Sequence, residues 1–297
     1  MFKSLVLSVL FLTVEGFRVM NDVDSKGVTY SPNYPDNYDN NMNVDSSIEV
    51  APNSYIHLTF LDFNTEDPYD YLNIIDANTG VSIVNFTGSL TGTTYDLNVS
   101  RVTFRFVSDL TTTYRGYAIR FESILDGMTY EPDNTCPNET HSDSFGIISS
   151  PNWPLNYPDN IACSYLLTAP ADRVISLEFL AFDTEPEYDY VCVYDGSDKT
   201  APLLGVFSGV EAIPILNTTG PNMFIYFSSD LVSNYSGFSA LYLVRSDQDN
   251  SRHGVVPSFL QTIGYQKTTT SPRSSTTGIK PLASKVRNGF DASIRCK

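Results

Sequence analysis

One stretch of this chain occurs twice, and that repetition limits the architecture more than any other feature. Ser31-Pro-Asn-Tyr-Pro-Asp-Asn-Tyr38 returns as Ser150-Pro-Asn-Trp-Pro-Leu-Asn-Tyr157, 119 residues later. Phe63-Asn-Thr-Glu-Asp-Pro-Tyr-Asp-Tyr-Leu72 returns at the same offset as Phe182-Asp-Thr-Glu-Pro-Glu-Tyr-Asp-Tyr-Val191. Phe86-Thr-Gly88 returns as Phe207-Ser-Gly209, now 121 residues on. Phe106-Val-Ser-Asp109 with Gly116-Tyr117 returns as Phe227-Ser-Ser-Asp230 with Gly237-Phe238 at that second offset. The slip falls near Asn78 and Asp198, in a turn where insertion costs little. Four blocks in one order specify two copies of one module, over residues 24–124 and 136–245. A short link containing Pro132 joins them.

Within each copy apolar residues alternate, the mark of strands. Ile56, Leu58 and Phe60 alternate with His57, Thr59 and Leu61; the second copy has Ile175, Leu177 and Phe179. Val102, Phe104 and Phe106 match Met223, Ile225 and Phe227. Tyr117, Ile119 and Phe121 match Phe238, Ala240 and Tyr242. Residues two apart share a strand face, so these positions are the predicted core. The 19 Tyr and 18 Phe favour strands over helices, and no long window carries a helical stripe. The expected class is all-β: two tandem antiparallel sandwiches, each burying the facing stripes of its two sheets.

The ends differ from the body. Lys3, the apolar run Ser4 to Val14 and then Val14-Glu15-Gly16 have the layout of an export signal over residues 1–16. That run is too short to span a bilayer comfortably, and no other approaches 18 residues, so no membrane insertion is expected. The expected location is secreted and extracellular. Beyond residue 245 the pattern stops. Thr268–Thr277 is rich in Ser, Thr and Pro, and Lys280, Lys285, Arg287, Arg295 and Lys297 make the end basic. A disordered, solvated tail over residues 246–297 is expected. The net charge of −16 disfavours nucleic acid and anionic lipid as partners and favours cations, whether metal ions or Lys and Arg side chains.

At the repeated blocks the chain resembles the CUB family: the SPNYP-x-x-Y opening, F-x-TE-x-x-YDY, the Phe-x-Gly turn, and F-x-SD followed by GY or GF. The resemblance implies a jelly-roll-like β-sandwich used for extracellular recognition, without implying one partner. It also implies a disulfide between Cys136 and Cys163. The first copy has Val44 at the position of Cys163, and the family's second disulfide is missing from both copies, with Thr87 and Ser208 at one of its positions. Cys192 is out of pattern. It lies between Val191 and Val193, so it should face away from the core, as should its counterpart Asn73. Pairing with Cys296, linking two chains, and remaining a free thiol all stay open.

Each copy carries a carboxylate trio: Glu66, Asp70 and Asp109, then Glu185, Asp189 and Asp230. Three carboxylates drawn together repel unless a cation neutralises them, and a hard cation with oxygen ligands points to Ca²⁺. The resemblance agrees. It implies one Ca²⁺ per module at these residues, with Tyr38 and Tyr157 supporting the Glu. It also implies that free carboxylate lone pairs accept a Lys or Arg from a partner protein. Thr111 follows Asp109 as the family's SD-x-S pattern has it, whereas Val232 follows Asp230. Asn234-Tyr-Ser236 places a glycosylation sequon in that second loop, so the first module is expected to be the better ligand site. The other sequons begin at Asn85, Asn98, Asn138 and Asn217.

Catalysis is not expected. His57, His141 and His253 are the only histidines, none of them in HExxH, and there is no G-x-S-x-G elbow. His57 is expected on a strand surface, facing outward. Two rival readings remain. One is a carbohydrate-binding protein like the spermadhesins, for which the aromatic loop around Trp153 would serve and a glycan would be the partner. The other is a structural secreted component assembled through Cys192 or Cys296.

Overall fold

The computed structural model describes residues 26–246 and Cys296. The expected export signal, the Thr268–Thr277 stretch and the basic end lie outside the described residues. Within them the chain is built of strands. The first module comprises β1 (Lys26–Tyr30), β2 (Asn43–Glu49), β3 (Ser54–Asn64), β4 (Tyr71–Asp76), β5 (Ser82–Phe86), β6 (Thr94–Leu97), β7 (Arg101–Val107) and β8 (Gly116–Leu125). The second comprises β9 (Glu139–His141), β10 (Phe145–Ser149), β11 (Ala162–Thr168), β12 (Arg173–Asp183), β13 (Tyr190–Tyr194), β14 (Leu203–Phe207), β15 (Leu216–Asn217), β16 (Asn222–Ser228) and β17 (Gly237–Ser246).

Each module is a two-sheet sandwich. The sheets are β1-β8-β3-β6 against β2-β7-β4-β5, and β10-β17-β12-β15 against β14-β13-β16-β11-β9. All neighbours are antiparallel except β9, which adds to β11 in parallel. Alternation explains the pairing. On β7, Val102, Phe104 and Phe106 point into the core while Thr103 and Arg105 point out; β16 repeats this with Met223, Ile225 and Phe227. Fully burying one such side chain contributes about 1.5–3 kcal/mol.

The opening motif and the Gly-aromatic motif interlock. The Tyr117 N–H donates to Ser31 Oγ at 2.9 Å, and the Phe238 N–H donates to Ser150 Oγ at 3.1 Å. Gly116 and Gly237 sit at φ +86° and +82°, and a Cβ on either would lie 2.0 Å from that serine oxygen. Only glycine fits the backbone angle and the close approach together.

β3 departs from period two, because both of its faces are buried. His57, Thr59 and Leu61, expected outward, are covered. Leu61 is covered because the β1-β8-β3-β6 sheet lies against the β10-β17-β12-β15 sheet of the other module. Tyr34, Leu61, Ala118, Trp153 and Leu241 form an apolar cluster between them. Arg115 clamps the interface, its Nη1 and Nη2 donating to the Glu178 carboxylate at 2.8 and 3.0 Å. Its Nε lies 3.2 Å from Asp62 Oδ2, which also accepts the Tyr34 hydroxyl. The expected exposure of His57 is corrected to 5%. Tyr130 of the link stacks on its ring at 3.8 Å, and Asp96 holds Nδ1 at 2.6 Å.

Candidate metal centre

The acidic trios lie at the end of each sandwich where β3 and β12 stop. Past β3, the Asp70 N–H donates to the Glu66 carbonyl and folds residues 66–70 into a tight turn. Thr65 and Thr87 hydroxyls donate to the Asp70 carbonyl at 3.0 and 2.8 Å, which fixes that turn to the sandwich. Past β7, the Ser108 hydroxyl donates to the Asp39 carbonyl and aims the next residue, Asp109, at the turn. The Asp109 N–H then donates to Asp70 Oδ1 at 2.7 Å.

Tyr38 is the support beneath. Its buried hydroxyl donates to Asp70 Oδ2 at 2.6 Å and accepts the Glu66 N–H at 3.2 Å. Tyr157 does the same for Asp189 Oδ2 and the Glu185 N–H, at 2.5 and 2.9 Å. Burial first, then the carboxylate hydrogen bond, pushes both phenols far above their usual range, so they remain donors. The Asp230 N–H reaches Asp189 Oδ1 at 2.8 Å, completing the second copy.

Carboxylate oxygens of Glu66, Asp70 and Asp109 come within 4.8 Å of one another, as do those of Glu185, Asp189 and Asp230. One ion with oxygens at about 2.4 Å spans that spacing. Glu66 Oε2 and Glu185 Oε2 are buried without a hydrogen-bond partner. An oxygen so placed is costly unless something satisfies it. In the second trio, burial and then the charges of Asp230 and Asp189 push the Glu185 carboxyl up. Burial raises Asp189 as well, against the Tyr157 hydrogen bond and the Asp230 N–H. The residues therefore fit a hard divalent cation.

The two sites are more alike than the sequence suggests. Thr111 contributes its N–H to Asp109 Oδ1 at 2.8 Å, and Val232 gives the same bond to Asp230 Oδ1 at 3.0 Å. The missing hydroxyl therefore removes nothing from this bond. The second site has an extra carboxylate, Asp159, whose charge adds to that at Glu185; its counterpart is Asn40. An exposed apolar rim also went unread: Tyr69 and Leu110 (60% and 73% exposed) flank the first trio, Tyr188 and Leu231 (52% and 73%) the second. Its signal was available, since both pairs occupy repeated positions.

The remaining residues fall as follows. Cys136 and Cys163 are bonded. Cys192 is bonded to Cys296, which leaves neither for linking two chains. Cys192 sits on the face opposite Val191 and Val193, among Tyr194, Phe224 and Tyr226, and the Tyr194 hydroxyl donates to the Cys296 carbonyl. Asn85, Asn98, Asn138 and Asn217 are exposed, and Asn234 is half-buried with its Nδ2 donating to Asp159 Oδ1. Trp153 is 4% exposed in the module interface and offers no open face for stacking a sugar. Among the described residues, no helix is long and apolar enough to cross a membrane.

With this architecture, comparison with known proteins is direct. The CUB domain family matches residues 20–121 and 136–242, and the chain belongs to that family. It is 30% identical to human cubilin over 228 residues, which is 74% of this chain and 6% of cubilin. It is also 30% identical to the bone morphogenetic protein 1 homolog of Strongylocentrotus purpuratus over 236 residues, 76% of this chain and 35% of that protein. The chain thus spans a small part of these relatives. The solved CUB1-EGF-CUB2 domain of human MASP-1/3 is 21% identical, with a TM-score of 0.35, over 75% of this chain and 100% of that one.

Proposed function

We propose that this protein is a secreted, extracellular binding protein without catalytic activity, whose CUB domains each hold one Ca²⁺ and capture a Lys or Arg of a protein partner. The observation that carries this reading is the unpartnered, buried Oε2 of Glu66 and of Glu185 inside converging carboxylates. A cation satisfies that oxygen and relieves the repulsion within the trio. The metal leaves carboxylate lone pairs toward solvent, and a Lys ammonium or Arg guanidinium takes them as charge-assisted bonds. Tyr69 with Leu110, and Tyr188 with Leu231, would cover the aliphatic stem of that side chain. Between the domains, the first is the better capture site, because a glycan on Asn234 would stand in the loop that carries Asp230. A peptide with a single lysine, immobilised on a sensor, tests the reading. Retention in calcium that disappears in EDTA supports it; equal retention in both, or none in calcium, refutes it.

A further inference from the structure

Each candidate site occupies one end of its module, so the stacking of the modules decides whether the sites face together or apart. The site end is marked in the first module by Gly116, paired with Asn64, and in the second by Gly237, paired with Asp183. Glu66 and Glu185 follow just beyond those pairs. The modules meet where Ser239, two residues past Gly237, donates its Oγ to the carbonyl of Leu61, three residues before Asn64, at 3.1 Å.

From that point the contacts cross. Arg115, at the site end of the first module, grips Glu178. Glu178 pairs with Leu241, displaced from Ser239 away from the second site. Tyr34, four residues from Tyr38, has its ring 6.2 Å from that of Phe145. Phe145 pairs with Leu243, further away still. The reverse also holds. Trp153, in the loop leading to Tyr157, accepts Arg120 Nη2 on its carbonyl and packs at Gly92. Arg120 lies past Ala118, away from the first site. On either side of the Ser239–Leu61 contact, groups toward the site end of one module thus meet residues of the other that are displaced from its own site. Tyr34 and Trp153, which occupy equivalent positions of the repeat, both enter the apolar cluster between the modules, as a near two-fold arrangement requires.

We propose that the tandem is a rigid two-ended bridge: its two cation sites face opposite ways and join two separate Lys- or Arg-bearing partners. The sites lie on the order of 30 Å apart, at about 3.3 Å of rise per strand residue. This rests on the calcium and lysine reading above. One flat partner surface cannot reach both sites, so the tandem gains no avidity on such a surface, where two sites facing together would gain about 100-fold or more.

The test uses the full chain carrying S236A, which removes the Asn234 sequon and keeps the asparagine, with beads coated in a single-lysine peptide. In calcium the parent protein should agglutinate the beads. D109N and D230N should each still coat beads within about twofold of the parent affinity and agglutinate none. Coating without agglutination by the parent, single-site variants that agglutinate equally, or a parent affinity about 100-fold above theirs would each overturn the bridge and leave the capture reading intact. Beads uncoated in calcium overturn both. Independently, Gd³⁺ loaded in place of calcium should give one narrow dipolar distance near 30 Å; a distance under about 20 Å, or a broad distribution, rejects the geometry.

Discussion

Tyr38 shows how much one side chain carries here. Its hydroxyl serves Asp70 Oδ2 and the Glu66 N–H together, so Tyr38→Phe leaves both without that partner. We expect a loss of about 1.5–3 kcal/mol in unfolding free energy, the range for a hydrogen bond to a charged group. Calorimetric titration should also show weaker Ca²⁺ binding at the first site only. Asp109→Asn should lower the calcium stoichiometry from two to one with little effect on melting in EDTA. Asp62 gives a prediction about pH. Burial pushes its carboxyl up, against the opposing influence of Arg115 and the Tyr34 hydroxyl. The folded chain therefore keeps this proton to a higher pH than the unfolded chain. The contribution of Asp62 to stability is greatest below the unfolded value of about 3.9 and declines as pH rises through the folded one. Asp62→Asn should flatten that part of the stability profile in urea titrations at stepped pH; an unchanged slope would show that Asp62 does not set it.

Among elements, strand identity was legible where one face met the core and the other met water. β7 and β16 alternate cleanly for that reason. β3 does not, because Leu61 meets the second module and His57 lies under Tyr130 of the link, and no local pattern announces neighbours so far along the chain. The serine–glycine interlock is the element-level counterpart of the repeated motif. Gly116→Ala and Gly237→Ala each force a Cβ against the serine oxygen and strain a left-handed backbone. Each should cost about 1–3 kcal/mol, read as a lower melting temperature. Because β8 and β17 open at these glycines, calcium affinity at the matching site should fall as well. The bond between Cys136 and Cys163 closes a loop with a separation of 27 residues. Replacing both by Ser should destabilise the second module by about 3–4 kcal/mol and leave the first unchanged.

For the whole molecule, the property that counts is the packing of one module on the other. Arg115 joins Asp62 of its own module to Glu178 of the next. Arg115→Ala leaves two carboxylates facing each other in a largely buried interface, at a cost of about 2 kcal/mol or more. Small-angle scattering should then report a larger radius of gyration, while calcium binding at each site persists. The strands, the two-module plan and the grouping of the carboxylates are legible along the chain, because alternation and repetition are written in it. Folding in three dimensions settles that His57 and Trp153 are covered and that Cys192 meets Cys296. Those outcomes depend on which outer faces meet, and contact between surfaces distant in sequence leaves no periodic trace in either of them.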